Sequence, residues 1–197
     1  MAEMPTTRAS LLVRLRDHQD AEAWRQFVEV YAPLVYRWCR RMGLQDADAA
    51  DLTQEVLRQV STAVGRLEYD PKRGLFRSWL FTLAHRKLCD FFRRDARQIQ
   101  GSGDSGTQAI LDEQPAPAEE IEWNQDHEQR VFDWAAEQIR DRFALSTWQA
   151  FWLTAVDGRD SQEVAHQLGM TVAAVYLAKS RVMARLKEQV KWLHAEE

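Results

Sequence analysis

Apolar side chains in this sequence recur at spacings of three and four residues, and alternation with a period of two is nearly absent. Trp24, Phe27, Val28, Tyr31, Val35 and Trp38 follow the helical spacing, as do Leu52, Val56, Val60 and Val64. A third series runs from Leu75 through Trp79, Leu83 and Leu88 to Phe91 and Phe92. No run of alternating β-branched residues bounded by turn chemistry competes with these stripes. The chain is therefore expected to be all-α. Pro33, inside the first stripe, is expected to bend or divide its helix, because proline has no amide hydrogen to donate.

The periodicity stops after Arg97. Between Gln98 and Ala118 lie Gly101, Gly103, Gly106, Pro115 and Pro117 among serines and acids, the composition of a flexible linker. Helical spacing resumes near Ile121 and continues through Val131, Trp134 and Ile139 to Leu186. Two small helical domains are expected, 8–97 and 119–194, joined by an acidic spacer over 98–118.

Charge follows the same division. The net charge is −4, which taken alone argues against a nucleic-acid partner. Yet from Arg66 to Arg97 nine bases face four acids, and from Thr171 to His194 five bases face Glu188 alone. From Gln98 to Arg130 the balance reverses, with eight acids against one base. Local fields, not the sum, attract phosphate. Two basic blocks separated by an acidic spacer fit a nucleic-acid binder.

Other classes find little support. Cys39 and Cys89 stand in apolar helical stretches without C-x-x-C spacing, fitting small-hydrophobe packing in a reducing compartment. The first residues, with Glu3 and Pro5 and no long apolar run, predict no signal peptide, and no stretch has the length of a membrane span. A cytoplasmic protein without membrane contact is expected. The five histidines are scattered, with neither metal-ligand spacing nor a glycine-rich phosphate loop, so no metal, cofactor or catalytic residue is expected and the chain does not read as an enzyme. Of the eight tryptophans, some belong in helix–helix seams and a few at a surface.

Near the C-terminus, Asp160-Ser161-Gln162-Glu163 can form a capping box. Small Ala165 permits close helix approach, Gly169 can take the left-handed conformation that turns the chain, and Thr171 can cap the next helix. These offsets predict a helix-turn-helix. Its second helix, from about Val172 to Val190, would turn Val175, Ala178, Val182 and Leu186 inward. Ala173, Tyr176, Leu177, Ser180 and Arg181 would face out, with Ala173 admitting the DNA backbone and Arg181 reaching guanine or phosphate. An ordinary helical hairpin with a solvated basic face is the competing reading.

In the first half, Asp51 and Glu55 lie one turn apart. Like charges at that spacing cost a few tenths of a kcal/mol, which a basic partner would offset; a solvated acidic face is the alternative.

Together these segments resemble a known family. Tyr31-Ala32-Pro33-Leu34-Val35-Tyr36, Asp51-Leu52-Thr53-Gln54-Glu55-Val56 and Phe76-Arg77-Ser78-Trp79-Leu80 resemble the sigma-two domain of extracytoplasmic-function (ECF) sigma factors, within the sigma-70 family of RNA polymerase sigma factors. The helix-turn-helix resembles their sigma-four domain. The resemblance implies that Asp51, Gln54 and Glu55 dock on the clamp helices of core RNA polymerase. It implies that the loop around Tyr69, Lys72 and Arg73 receives a flipped base of the −10 element, with Phe76, Arg77, Arg86 and Lys87 on the following helix gripping the strand. An aromatic ring, bases and a glycine are the parts of a single-strand site, although an Asp70-Pro71 turn alone would explain the loop; Trp79 reads as core. It further implies that Thr171, Ala173, Ala174, Tyr176, Leu177, Ser180 and Arg181 meet the −35 element. Promoter DNA and core polymerase are the implied partners, with an anti-sigma factor as a further one.

The chain departs from the family at Arg86, where many members carry asparagine. Arginine holds phosphate but cannot imitate an amide at a base edge. The reading helix is also less basic at its tip than in many members. A helix-turn-helix regulator acting without polymerase is the main rival, and an adaptor that sequesters a partner a second.

Overall fold

A computed structural model describes residues 11–64, 76–98 and 116–193, with side chains placed except at 95–98 and 192–193. Among the described residues every regular element is a helix. In chain order these are α1 (Leu11–Arg14), α2 (Ala21–Arg41), α3 (Asp46–Val64), α4 (Phe76–Gln98) and α5 (Pro117–Arg140). There follow α6 (Leu145–Phe151), which runs on into a π-helical turn over Trp152–Val156, then α7 (Ser161–Leu168) and α8 (Val172–Leu193). The fold is all-α, as expected.

The chain divides into two compact units at Arg130/Val131. In the first unit, Asp20 starts α2 by accepting from the Ala23 amide at 2.9 Å, and Arg14 holds the same carboxylate through two contacts of 2.7 Å. The buried stripe of α2 is Phe27, Val30, Tyr31, Leu34, Val35 and Trp38; Val28 lies off it, 41% exposed. The stripe of α3, Leu52, Val56, Val60 and Val64, is buried as its spacing requires. Cys39 and Cys89 are buried and free, and burial pushes the Cys39 thiol up to about 12.

Pro33 does not divide α2, which runs unbroken from Ala21 to Arg41. Proline at 33 leaves the Glu29 carbonyl without its usual i+4 donor. The Arg130 guanidinium takes that place, donating to Glu29 O at 2.7 Å. A donor from another helix thus satisfies the acceptor that the proline orphans.

That donor sits on α5, whose early turns complete the first unit. Trp123 is fully buried, its ring 5.3 Å from Phe81 and 6.0 Å from Trp38. His127 Nε2 lies 3.4 Å from the Tyr31 hydroxyl, and Asp126 pairs with Arg41 at 2.5 Å. The unit boundary therefore falls inside a continuous helix. It lies past the 118/119 position read from the sequence, Trp123 being packed against Trp38 of α2 and Phe81 of α4.

In the second unit, Val131, Trp134, Ala135 and Ile139 bury the later turns of α5. Ala150, Val164, Ala165, Val175 and Ala178 form a small-residue core among α6, α7 and α8. Small side chains there let the three helices approach closely.

Candidate nucleic-acid and partner interfaces

The helix-turn-helix forms from the residues expected. Asp160 caps α7 by accepting from the amides of Gln162 (2.8 Å) and Glu163 (3.2 Å). Gly169 closes it in the left-handed conformation, φ +63°. An L side chain there would be strained. Thr171 then caps α8, its hydroxyl accepting from the Ala174 amide at 3.1 Å. Val175, Ala178, Val182 and Leu186 are buried, and Ala173, Tyr176, Leu177, Ser180 and Arg181 are exposed. Thr171 is exposed and Ala174 half-buried at the tip. The outer face of α8 is thereby left open while its inner face is buried.

On α3 the acidic edge is less uniform. Asp51 and Gln54 are exposed, but Glu55 accepts from Lys87 of α4, Nζ to Oε1 2.8 Å. The lysine's hydrogen bond holds the Glu55 carboxyl below its usual range, with further pull from the charges of Lys87, Arg94 and Arg58. Two residues assigned from the resemblance to different partners thus pair with each other. Local spacing gives no sign of it, since they are 32 residues apart.

The start of α4 requires a correction. Phe76, assigned to the −10 strand, is only 6% exposed, with its ring 5.6 Å from Tyr31 and 6.0 Å from Phe27. It opens the inward stripe that continues with Leu80, Leu83 and Ala84, so it is a core ring and offers no face to DNA. Trp79 is half-buried beside it, 5.4 Å away. Arg77 is half-buried and Arg86 exposed. His85 is buried at 5% exposure; burial lowers its pKa, and Glu119 partly offsets this. Tyr69, Lys72 and Arg73 lie outside the described residues.

Among the described residues no group of three or more His, Cys, Asp or Glu is placed to hold a metal ion, and no helix is long and apolar enough to cross a membrane.

The Sigma-70 region 2 family matches residues 27–98, which cover most of α2, all of α3 and α4. The ferric citrate uptake sigma factor FecI of Escherichia coli is 30% identical over 147 residues, 73% of this chain and 78% of that one. The ECF RNA polymerase sigma factor SigK of Mycolicibacterium vanbaalenii is 29% identical over 184 residues, 92% and 88% of the two chains. With RpoE of Cereibacter sphaeroides the match is 28% over 90 residues, and the chain spans about half of that relative's length (49%). A solved structure of CnrH in complex with the cytosolic domain of CnrY aligns with 90% of this chain at 20% identity and a TM-score of 0.35. The chain belongs to the ECF sigma factors of the sigma-70 family, the RNA polymerase sigma factors. Members of this class are regulatory subunits and not enzymes.

Proposed function

We propose that the chain binds core RNA polymerase through the outer edge of α3 and promoter DNA through two separate surfaces, directing transcription initiation in the cytoplasm. The observation that carries this reading is the pairing, in one chain, of an exposed acidic α3 edge with a capped helix-turn-helix whose outer face is open. Asp51 and Gln54 are the polymerase contacts, and Glu55 joins them when a basic partner competes with Lys87. Arg77 and Arg86 hold strand phosphates near the −10 element, together with Tyr69, Lys72 and Arg73. Lys87 serves that strand only when released from Glu55. The α8 face meets the −35 duplex. An anti-sigma factor fits the same reading, since a protein covering Asp51 and Tyr176 would block both kinds of contact.

Co-elution with core polymerase tests the reading. Asp51→Arg with Gln54→Ala abolishes holoenzyme assembly while thermal unfolding stays unchanged, both positions being exposed. Wild-type co-elution by that variant would take the polymerase contact away from the α3 edge, whereas failure of the unmodified chain to co-elute, with duplex binding intact, would identify a helix-turn-helix regulator that works without polymerase.

A further inference from the structure

The open face of α8 lacks the side chains that most often read bases. Between Thr171 and Lys179 no residue carries a charge or an amide. The Thr171 hydroxyl accepts from the Ala174 amide. What remains outward is Val172, Ala173, Tyr176 and Leu177, with Tyr176 60% and Leu177 57% exposed. Their exposure is not an accident of loose packing, because Val175 and Val182 behind them are fully buried.

Guanine and adenine are read in the major groove by arginine, lysine, asparagine or glutamine, and cytosine by acids. The first two turns of α8 offer none of these. Thymine alone presents an apolar group there, its C5 methyl. From Val172 to Ser180 the helix rises about 12 Å, close to the width of the major groove. The cations come later, at Lys179, Arg181, Arg185, Lys187 and Lys191, where they suit the phosphates flanking a groove entered tip first.

We propose that Leu177, with Tyr176 and Ala173 beside it, is a specificity-determining residue that reads thymine methyl groups in the duplex element. The inference rests on the duplex-binding role given to α8 above and names the base that role selects. A helix tip built this way accepts thymine by burying its methyl. It disfavours cytosine by leaving the amino group unpaired.

The test removes single methyl groups. The full chain, assembled with core RNA polymerase, selects duplexes from a pool carrying a randomised segment. The selected duplex is remade with deoxyuridine for deoxythymidine, one position at a time. At one or more positions wild-type affinity falls about fourfold, the worth of one buried methyl-sized group. Leu177→Ala binds the thymine duplex more weakly by a similar factor and no longer distinguishes thymine from uracil at that position. Leu177→Met keeps the distinction. Because Leu177 is exposed, thermal unfolding of the alanine variant matches wild type.

Affinity indifferent to every uracil overturns the inference while leaving duplex binding in place. So does uracil sensitivity that persists undiminished in both Leu177→Ala and Tyr176→Ala. If Arg181→Ala with Lys187→Ala leaves selection untouched as well, the duplex-binding role itself fails, and the inference with it.

Discussion

Lys87 reaches from α4 to α3 and donates to Glu55, Nζ to Oε1 2.8 Å, with both side chains only partly exposed. The pair is a tether within the first unit, and it separates the two meanings that Glu55 can have. Glu55→Lys and Lys87→Glu each destabilise the chain by roughly 0.2–1 kcal/mol, the usual range for such pairs. The reversed pair recovers most of that loss in thermal unfolding. Holoenzyme assembly is not recovered, because the carboxylate on α3 that a basic clamp would meet has been replaced. Recovery of both measurements would assign Glu55 to the fold alone.

Acid should weaken the fold in two stages. Burial lowers the His85 pKa, so stability is complete above the ordinary histidine value of about 6.5. It declines below that, as the unfolded chain takes up a proton that native His85 refuses. Lys87 lowers the Glu55 pKa, so its contribution is complete above about 4.3 and is lost as pH falls through the depressed native value. His85→Leu flattens the upper stage and leaves the lower one, measured as unfolding free energy against pH.

Trp123 belongs to the core of a unit that precedes it in the chain. Trp123→Ala costs about 3–5 kcal/mol, as large-to-small changes at buried aromatic sites do. Hydrogen exchange then speeds up at α2 and α4 amides around Trp38 and Phe81. The α7–α8 amides keep their protection. Equal loss in both units would contradict the boundary at Arg130.

The proline and the arginine should be energetically coupled. Arg130→Met leaves the Glu29 carbonyl without the charged donor that Pro33 makes necessary, a loss of roughly 1–3 kcal/mol. In a Pro33→Ala background the alanine amide can supply the helical hydrogen bond itself, and the same arginine substitution costs markedly less. A double-mutant cycle by denaturant unfolding reads the difference.

The sequence disclosed most where causes were local. Asp160, Gly169 and Thr171 lie within a dozen residues of one another, and each acts on a neighbouring amide or on its own backbone angle, so the helix-turn-helix was legible almost atom by atom. Phe76 was legible in principle, since its spacing to Leu80 and Ala84 is that of a buried stripe; the family resemblance pulled it outward. The unbroken α2 was not legible, because what satisfies the Glu29 carbonyl lies 101 residues away. Nor was the Glu55–Lys87 pair, whose charges read locally as two unrelated surfaces. On α3 the charge spacing singled out Asp51 with Glu55 and only the resemblance added Gln54, whereas the end of the first unit at Arg130 required knowing which ring α5 buries.

The continuous α5 bears on how the protein is made. Synthesis delivers α2, α3 and α4 first, but the Trp123 ring and the Arg130 guanidinium arrive roughly thirty residues after α4 ends. At about 5–20 residues per second, a nascent first unit waits a few seconds with Trp38 and Phe81 uncovered and Arg130 not yet at the Glu29 carbonyl. During that interval the growing chain presents an apolar face to whatever surrounds the ribosome. A pause in translation while α5 is still within the ribosome would lengthen the exposure.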